Sequence, residues 1–391
     1  MINMIPTEAW EYSLIDAIMA ALTSLKSPRE IHRINLDGIG TCIPVRSGRI
    51  GILVALKSLN LKPDANVGVP LYCCPVVFKA IKMAGYRPVF IDVNKEDYCL
   101  SLNDLASKEP LLDALIAVHM FGQPCKMDKI LSIMGTKPVI EDAAQSLGSY
   151  LEGKPTGTFG KISVFSFRSG KYLSAGEGGA IYCNDDSIIM RLNALNKEMP
   201  VPDVKSEFLH IIKTYLRTKL RSKPFWGIAG STIWKYYNKK TAFINKSPII
   251  FSQAFASDLS IVYKRINKLS RIIARQRSNA SFYLKNLNLP PSMFCLETAD
   301  SYYNRFMFPI KLESEEQYRM ISDILLKNNI STSRPYFDVI EGAIRYYSYK
   351  GDCPQAEVLL RSTLIIPVHY KLKHQETEKI TYVINKAWKS F

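Results

Sequence analysis

Short apolar runs alternate with longer stretches of helical apolar spacing between Arg46 and Tyr182. The runs NVGVPLY, RPVFIDV, DALIAVHMF, KPVIEDA and ISVFSF predict buried strands, and GILVALKSLNL and CPVVFKAIKMAG predict helices. Buried strands separated by helices of about ten to fifteen residues indicate a mostly parallel sheet with helical crossovers. This part of the chain is therefore predicted to be an α/β domain.

The pattern changes in the second half of the chain. A long helix is predicted from roughly Ser252 to Leu287, leading out of the first domain. From about Pro290 the shorter patterns RFMFPIKL, EEQYRMISDILLKNN, STLIIPVHY and EKITYVINKAW predict a small α+β domain. Since 391 residues exceed what one core usually organises, we expect a large domain over 1–255 and a linking helix with a small domain over 256–391.

The composition is that of a folded globular protein, with 47% apolar and 22% charged residues. The sequence has no run of about eighteen apolar residues, so a membrane-spanning helix is not expected. The eight cysteines are scattered without a C-x-x-C pair, which argues against a metal site and favours reduced thiols in a cytoplasmic protein. A net charge of +16 would attract a polyanion: nucleic acid, anionic lipid headgroups or a diphosphate-bearing substrate.

Polar side chains follow several of the predicted strands at the point where each strand ends. Asp142 follows PVIE, His119 follows LIAV, Tyr72 follows VGVP, and both Ser166 and Lys171 follow ISVF. Sheets of this class bind ligands in the crevice beyond the carboxyl ends of their strands. We therefore expect these residues to converge on one site.

Two of these segments carry a recognisable chemistry when they are taken together. A lysine in SFRSGKYLSAGEGGA, held away from water, would have a lowered pKa and act as a Schiff-base nucleophile, although alone it could be a solvated loop lysine. Asp142 in VIEDAAQSLGS could likewise be an ordinary helix cap. Together a lysine, a carboxylate for a ring nitrogen and a phosphate cradle are what pyridoxal 5'-phosphate (PLP) catalysis requires.

The chain resembles the DegT/DnrJ/EryC1/StrS family of PLP-dependent sugar aminotransferases, which has the type I aminotransferase fold. The resemblance covers most of residues 45 to 388 in the family's order. The matching segments are SGRIGILVALKSLNLKPDANVGVPLYCC, AGYRPVFIDV, AVHMFGQPCKMDKI, VIEDAAQSLGS, GKISVFSFRSGKYLSAGEGGAIYCND, RIIARQRSNA and CPQAEVLLRSTLIIPVHYKL.

The resemblance implies a role for each matching position. Lys171 would bind PLP as a Schiff base and transfer protons, and Asp142 would pair with the pyridinium nitrogen. Cofactor contacts would come from Gln145, Ser166, Ser47, Gly48, Arg49, Tyr72 and Cys74. Substrate contacts would come from His119, Arg334, Tyr336 and His369, with a structural hydrogen bond as the alternative for His119.

Three positions depart from the family's pattern. Arg49 stands where many relatives have a phosphate-binding Thr or Ser. The aligned position for the ring that stacks on the cofactor is Cys74, with Tyr72 as the nearest aromatic residue. The segment that reaches a partner subunit's phosphate has Asn245 and Lys246 but no arginine.

The implied reaction moves an amino group from an amino-acid donor, glutamate or glutamine, to a nucleotide-linked keto-sugar, in a homodimeric enzyme of surface polysaccharide or amino-sugar biosynthesis. A PLP-dependent sugar dehydratase is an alternative, but such relatives have histidine in place of Lys171. A non-catalytic binding or regulatory homologue is the other alternative, which the presence of all four residues Asp142, Gln145, Ser166 and Lys171 disfavours. No recognition motif supports nucleic-acid binding.

A basic aromatic segment spans about residues 204–242. It interleaves cations with seven aromatic rings, and Glu207 is the only nearby acid. Such interleaving is typical of segments that contact a membrane interface, here its inner face. The alternative is a solvated helix pair that covers the mouth of the active site.

Overall fold

The computed structural model describes residues 4–25, 33–223, 225–227 and 249–389. The helices up to residue 223 are α1 (Leu14–Leu25), α2 (Gly48–Ser58), α3 (Val76–Met83), α4 (Leu102–Lys108), α5 (Met127–Met134), α6 (Asp186–Lys197) and α7 (Val204–Leu220). The strands in the same part are β1 (Ile34–Leu36), β2 (Gly40–Val45), β3 (Asn66–Pro70), β4 (Arg87–Ile91), β5 (Ala114–Val118), β6 (Val139–Asp142), β7 (Tyr150–Leu151), β8 (Lys154–Pro155), β9 (Ile162–Ser166) and β10 (Gly179–Tyr182).

The second half of the chain adds six helices and three strands among the described residues. The helices are α8 (Ala256–Ile266), α9 (Leu269–Asn286), α10 (Glu315–Lys327), α11 (Val339–Tyr347), α12 (Pro354–Ser362) and α13 (His374–Trp388). The strands are β11 (Ser301–Tyr302), β12 (Phe308–Lys311) and β13 (Thr363–Ile366).

The central sheet has the strand order β1-β2-β10-β9-β6-β5-β3-β4. Strands β9, β6, β5, β3 and β4 are parallel to their neighbours in that order, whereas β10 is antiparallel to both β9 and β2. The mostly parallel sheet expected for a type I aminotransferase fold is therefore present, with seven strands from β2 to β4. The short strand β1 adds an eighth member by antiparallel pairing with β2.

The parallel strands are covered by helices, so their residues are apolar on both faces. Every residue of β5 (ALIAV) is buried, and β6 and β9 are buried up to their last residue. This continuous burial explains why the strands appear in the sequence as unbroken apolar runs rather than as alternating patterns. Polar residues occur at the strand ends, where the sheet opens to the crevice.

The single long helix predicted from Ser252 to Leu287 is wrong, because two helices occupy this range. Helix α8 ends at Ile266 and α9 begins at Leu269, with Asn267 and Lys268 between them. The buried residues of α8 pack in a cluster with α1, whereas Tyr283 and Ala280 of α9 pack with the second core. Because of this break, α8 contributes its apolar residues to one core, and α9 contributes Ala280 and Tyr283 to another.

The second core lies around the antiparallel pair of β12 and β13. Phe308 and Ile310 of β12 pack there with Leu364 and Ile366 of β13, together with side chains of α9, α10 and α13. The chain's N-terminal segment joins this core through Ile5, which forms a bridge with Ile330. Within the described ranges, every helix is too short or too polar to cross a bilayer.

Candidate active site

Lys171 lies in a tight loop that connects the antiparallel neighbours β9 and β10. The loop closes through a bond from the Lys171 amide N–H to the Arg168 carbonyl (2.9 Å). Gly176 in this loop has φ +114°, and a Cβ there would lie 2.9 Å from both His210 Nε2 and Thr214 Oγ1 of α7. Only glycine satisfies that close approach, so the Gly-rich sequence after Lys171 is required by the packing of α7.

The environment of Lys171 favours a neutral amine. Burial and the charge of Arg168 together lower the pKa of Lys171 to about 8, although Asp142 acts in the opposite direction. The amine lies 4.5 Å from the centre of the Phe306 ring, whose face excludes water from one side. A lysine that is partly neutral near physiological pH can act as a nucleophile and as a proton carrier.

Asp142 ends β6 and interacts electrostatically with Lys171. Burial raises the pKa of the Asp142 carboxyl, and the charge of Lys171 partly offsets this rise. One carboxylate oxygen, Oδ1, accepts a hydrogen bond from the Ala144 amide at 3.0 Å. The backbone therefore fixes the orientation of the carboxylate and leaves Oδ2 to pair with a ligand.

Glu141, the residue before Asp142, is a wholly buried carboxylate that accepts five hydrogen bonds. The donors are Gly157 N (2.7 Å), Phe159 N (2.7 Å), Gly160 N (2.5 Å), Ser163 Oγ (3.2 Å) and His119 Nε2 (2.9 Å). Burial would raise the pKa of Glu141, but the bond from His119 and the backbone donors outweigh burial and lower it. This network holds β6, and with it Asp142, in place.

His119 has a structural role in this arrangement. Its ring has no exposed surface, Nε2 contacts Glu141, and Nδ1 accepts a hydrogen bond from the Cys125 amide at 3.0 Å. Because Nδ1 accepts an N–H bond, the ring is the Nε2–H tautomer donating to Glu141. The predicted contact between His119 and substrate is therefore corrected to the structural alternative.

The N-terminus of α2 forms a pocket beside the last residue of β9. Ser47 caps the helix by accepting a bond from the Ile50 amide (3.4 Å), and a Cβ on Gly48 would lie 3.0 Å from the Ser166 Cβ. Gly179 admits this approach, since its own Cβ would lie 2.7 Å from the Gly48 nitrogen. A helix N-terminus with free amides and a neighbouring hydroxyl is a suitable phosphate site.

Two further arginines lie near Arg49, and their charges affect its pKa. Burial lowers the pKa of Arg49, and Arg168 and Arg46 lower it further, while Cys74 and Glu177 act in the opposite direction. A phosphate dianion placed among these guanidinium groups would relieve their repulsion. Arg49, which stands where many relatives have Thr or Ser, can therefore contribute to phosphate binding through its charge instead of through a hydroxyl.

The structure distinguishes the two expected stacking residues. The ring of Tyr72 has no exposed surface and makes edge contacts with Tyr98, Phe121 and Tyr336. The prediction that Tyr72 stacks on the cofactor is therefore wrong, because no face of its ring is accessible. Cys74 is half-buried, and Asp142 is among the groups that influence its pKa, which burial raises.

Gln145 contacts a residue from the second half of the chain. Its Nε2 lies 3.4 Å from the Tyr336 hydroxyl and 3.6 Å from Met120 Sδ, and its Oε1 has no hydrogen-bond partner among the described residues. A buried amide oxygen without a partner is costly unless a ligand supplies a donor. Gln145 and Tyr336 are therefore placed together, as expected for residues of one site.

A cleft on the other side of Lys171 is bounded by the N-terminal segment and the second domain. It has about 450 Å³ of space, part of it open to solvent, and its lining includes Glu8, Lys171, Phe306 and His369. His369 Nε2 contacts the Pro6 carbonyl at 3.1 Å, and burial lowers the pKa of His369 to about 4. The imidazole is therefore neutral, with Nδ1 available to a ligand in this cleft.

The Arg334 guanidinium is hydrogen-bonded to groups that are not predicted site residues. Its Nη1 forms bonds with Glu315 Oε1 (2.9 Å) and the Arg361 carbonyl (3.2 Å). Its charge is nevertheless among the influences on the pKa of Tyr72, so the guanidinium lies near the aromatic cluster. A substrate contact by Arg334 stays a prediction. Asn245 and Lys246 lie outside the described residues.

Three residues of the site were not singled out from the sequence. Glu141 was visible only as half of an acidic pair at a strand end. Glu8 and Phe306 come from distant segments with no local motif, and only the folded chain brings them to Lys171. Burial would raise the pKa of Glu8, but Arg221 and Arg168 outweigh burial and lower it, so an anion faces the cleft.

These residues fit PLP. Lys171 and Asp142 are close enough for each to influence the other's pKa, and an arginine-rich helix N-terminus lies beside Ser166. The unpartnered oxygen of Gln145 supplies a further polar group that a ligand can satisfy. The donor set therefore matches an aromatic cofactor with a basic ring nitrogen and a phosphate.

Comparison with known proteins identifies the family. The profile of the DegT/DnrJ/EryC1/StrS aminotransferase family matches residues 35–213 and 257–386. GDP-perosamine synthase of Escherichia coli O157:H7 is 26% identical over 347 residues, which are 88% of this chain and 85% of that protein. The putative pyridoxal phosphate-dependent aminotransferase EpsN of Bacillus subtilis (strain 168) is 25% identical over 364 residues, 89% of this chain and 84% of that protein.

Solved structures agree on the fold. The aminotransferase TlmJ from Streptoalloteichus hindustanus superimposes with a TM-score of 0.77 at 18% identity, covering 99% of this chain and 100% of that one. The profile match extends over both halves of the sequence, from the sheet to α13. The chain therefore belongs to the DegT/DnrJ/EryC1/StrS aminotransferase family, and its cofactor is pyridoxal 5'-phosphate.

Proposed function

We propose that this aminotransferase transfers an amino group from glutamate or glutamine to a keto-sugar linked to a nucleoside diphosphate. The observation that carries the proposal is that Lys171 and Asp142 lie close enough to influence each other's pKa, beside the helix N-terminus that carries Arg49. The similarity to a GDP-perosamine synthase supports the substrate class. The product would enter surface polysaccharide or amino-sugar biosynthesis, in the cytoplasm.

The chain's own groups have distinct tasks in this reaction. Bound PLP supplies an electron-withdrawing ring that stabilises negative charge at the carbon next to the reacting nitrogen. Asp142 Oδ2 would hold a proton on the ring nitrogen, and Gln145 would orient the ring from its edge. Lys171 Nζ would hold the cofactor, accept the donor's α-proton and return a proton in the second half of the reaction.

The phosphate groups would be held by the helix end rather than by a single residue. The amides at the start of α2, with Ser47 and Ser166, would bind the cofactor phosphate, and Arg49 would balance its charge. His369 and Tyr336 would contact the substrate from the second domain. The boundary proposed between the domains, near residue 255, places the site between 1–255 and 256–391.

The proposal is tested by two half-reactions followed separately. Purified protein loaded with PLP is mixed with glutamate or glutamine, and loss of the visible absorbance of the bound cofactor is measured. GDP-, UDP- and dTDP-linked keto-sugars are then tested for recovery of that absorbance. Recovery with at least one of them supports the proposal. Loss without recovery by any nucleotide-sugar would contradict the substrate class.

A PLP-dependent dehydratase and a non-catalytic homologue predict different results. A dehydratase would convert a nucleotide-sugar without consuming an amino donor, and a non-catalytic homologue would show no response to either substrate. The proposed homodimer is tested by light scattering of the PLP-loaded protein. A monomer that is fully active would contradict the proposed assembly.

A further inference from the structure

Helices α1 and α7 have their apolar residues on the outside. The buried residues of α1 are Asp16, Ala20 and Ser24, whereas its exposed large residues are Leu14, Ile15, Ile18, Met19, Leu22 and Leu25. The exposed fractions of these six residues range from 39% to 65%. A helix on the surface of a globular protein normally has the opposite arrangement.

Helix α7 repeats this arrangement beside α1. It buries Glu207, Thr214 and Thr218 along with Ile211, and it exposes Leu209, Ile212, Leu216 and Leu220. The two helices contact each other, so ten large apolar side chains project from one pair of neighbouring helices. Exposed apolar surface of this kind on a folded protein marks an interaction site.

The buried carboxylates of both helices are bonded, which holds each helix in its present orientation. Asp16 pairs with Lys264 (2.8 Å) and Arg265 (2.9 Å), and Glu207 accepts a bond from the Ser257 amide at 2.7 Å. Turning either helix to bury its apolar face would break these bonds. The outward apolar faces are therefore a fixed property of the fold.

Apart from Asp203, which is exposed at the N-cap of α7, the exposed charges of the two helices are the cations of α7. From residue 204 to 223 the only acid is Glu207, which is buried, and α1 has only the buried Asp16. The exposed cations along α7 are Lys205, Lys213, Arg217 and Lys219, and Lys223 in the turn that follows is paired with Glu376. Apolar rows bordered by cations are typical of helices that lie in the interface of an anionic bilayer.

We propose that the surface formed by α1 and α7, here called the α1–α7 face, docks on an anionic lipid membrane. The apolar side chains would enter the boundary between headgroups and acyl chains, while Lys213 and Arg217 contact lipid phosphates. A second copy of the chain would bring the same excess of cations to this face, whereas an anionic bilayer presents the opposite charge. The proposal concerns a surface outside the active site and does not depend on the substrate.

The membrane-docking proposal also fits the position of the active site. His210 and Thr214 on the inner side of α7 pack against Gly176 in the loop that follows Lys171. The lipid-facing side of α7 therefore points away from that loop, and docking leaves the cleft at Lys171 unblocked. At the end of α7, Arg221 stacks on Trp10 at 4.0 Å, which joins the α1–α7 face to the N-terminal segment over the cleft.

The test is flotation of the full-length PLP-loaded protein with lipid vesicles. Vesicles of phosphatidylglycerol mixed with phosphatidylcholine are compared with vesicles of phosphatidylcholine alone. We expect binding to the anionic vesicles that weakens as sodium chloride is added. The double substitution Lys213→Glu with Arg217→Glu should weaken binding roughly 25-fold or more, since each cation near an anionic surface contributes about fivefold.

Two further variants test the apolar part of the face. Ile18→Ser with Leu22→Ser on α1, and Ile212→Ser with Leu216→Ser on α7, should each weaken binding about tenfold or more. The matched control is Met190→Ser with Val358→Ser, which removes apolar residues that are 68% and 53% exposed on α6 and α12. Binding of the control should equal that of the wild type.

Three results would overturn the proposal. They are absence of binding to anionic vesicles, binding that persists unchanged in both serine double variants, and a dimer in light scattering that those variants convert to monomers. The last result would assign the α1–α7 face to contact between copies of the chain. Circular dichroism and the melting temperature of each variant establish that loss of binding does not reflect unfolding.

Discussion

Two regions of the molecule bury polar residues, and they do so for different reasons. At the carboxyl edge of the sheet, defined by the ends of β5, β6 and β9, Glu141 is saturated by five donors while Gln145 keeps an oxygen without a partner. At the α1–α7 face, Asp16 and Glu207 are inside because the apolar residues are outside.

The two regions differ in the kind of partner that would satisfy their unpaired polar groups or cover their exposed apolar groups. Unsatisfied groups at the carboxyl edge call for a polar ligand with its own donors and charges, which PLP supplies. Exposed apolar groups on the α1–α7 face call for an apolar environment instead. Buried polar groups without partners and exposed apolar groups both depart from the usual arrangement of apolar residues inside and polar residues outside. The first departure indicates a polar ligand, and the second indicates an apolar partner.

The largest effect is expected from the lysine at the carboxyl edge. Lys171→Ala should reduce transamination by at least about a thousandfold, because it removes both the nucleophile and the proton carrier. The measurement is the steady-state rate together with covalent retention of PLP after borohydride reduction. Lys154→Ala, at an exposed position in β8, should leave both unchanged. Full activity of the Lys171 variant would remove the basis of the proposed mechanism.

The next effect is on stability at the same edge. Glu141→Ala leaves the donors of His119 and of three backbone amides buried without an acceptor, which should lower the free energy of unfolding by about 3–5 kcal/mol. Urea denaturation measures this change. The control is Glu378→Ala, which removes an exposed pair with His374 and should cost no more than about 1 kcal/mol. Equal losses would show that the network does not stabilise β6.

The buried acid of the α1–α7 face should make stability depend on pH. Burial would raise the pKa of Asp16, but bonds from Lys264 and Ser13, with the charge of Arg265, lower it to about 2. Ionised Asp16 therefore contributes stability above its unfolded pKa of about 3.8, and this contribution is lost as the pH falls towards 2. Asp16→Asn should cost about 2 kcal/mol at pH 7 and little near pH 2.

Urea denaturation at several pH values checks this prediction. Asp128→Asn, an exposed acid on α5, is the matched control and should show no comparable pH dependence. A difference between wild type and Asp16→Asn that is the same at pH 7 and near pH 2 would contradict the prediction.

A smaller effect concerns the pH at which the lysine becomes reactive. Because burial and Arg168 lower the pKa of Lys171 to about 8, the rate of PLP uptake should rise with pH through a midpoint near 8. Below this pH the amine is protonated and cannot attack the aldehyde. Arg168→Gln removes a cation and should move the midpoint upward. A midpoint near the ordinary lysine pKa of about 10.4 would show that Lys171 is solvated.

The smallest effect is expected at the exposed apolar residues. In water, Ile18→Ser on α1 should change the free energy of unfolding by less than about 0.5 kcal/mol, since the side chain is already 52% exposed. Leu53→Ser on α2, where the leucine is fully buried, should cost about 3–5 kcal/mol. A large loss of stability for Ile18→Ser would show that this residue is part of the core and not of an open face.

Much of the first domain could be predicted from local patterns. The apolar runs of β3, β4, β5, β6 and β9 and the helical spacing of α2 and α3 matched the observed elements, because fully buried strands require continuous apolar sequence. The convergence of Asp142, Ser166 and Lys171 followed from the rule for strand ends. The break between α8 and α9 was missed because both helices continue one apolar spacing while packing on different cores.

Local patterns were less informative about individual side chains in the site. The aromatic ring of Tyr72 and the imidazole of His119 lie at strand ends, yet both are enclosed by residues distant in sequence. Glu8 and Phe306 reach Lys171 only because the N-terminal segment and the second domain fold against the loop. Direction and accessibility of a side chain depend on neighbours that no short motif contains.

The sequence by itself determined the fold class, the family and the cofactor of this protein, since these follow from periodicity and from contiguous motifs. Only the tertiary structure decided that His119 is structural, that the ring of Tyr72 is enclosed while Cys74 is only half-buried, and that α1 turns its apolar side outward. The physical reason is that burial is a property of three-dimensional packing. A row of leucines on a helix packs in the core when the polar residues of that helix are on its exposed side. The same row forms an open surface when the polar residues are buried and bonded instead.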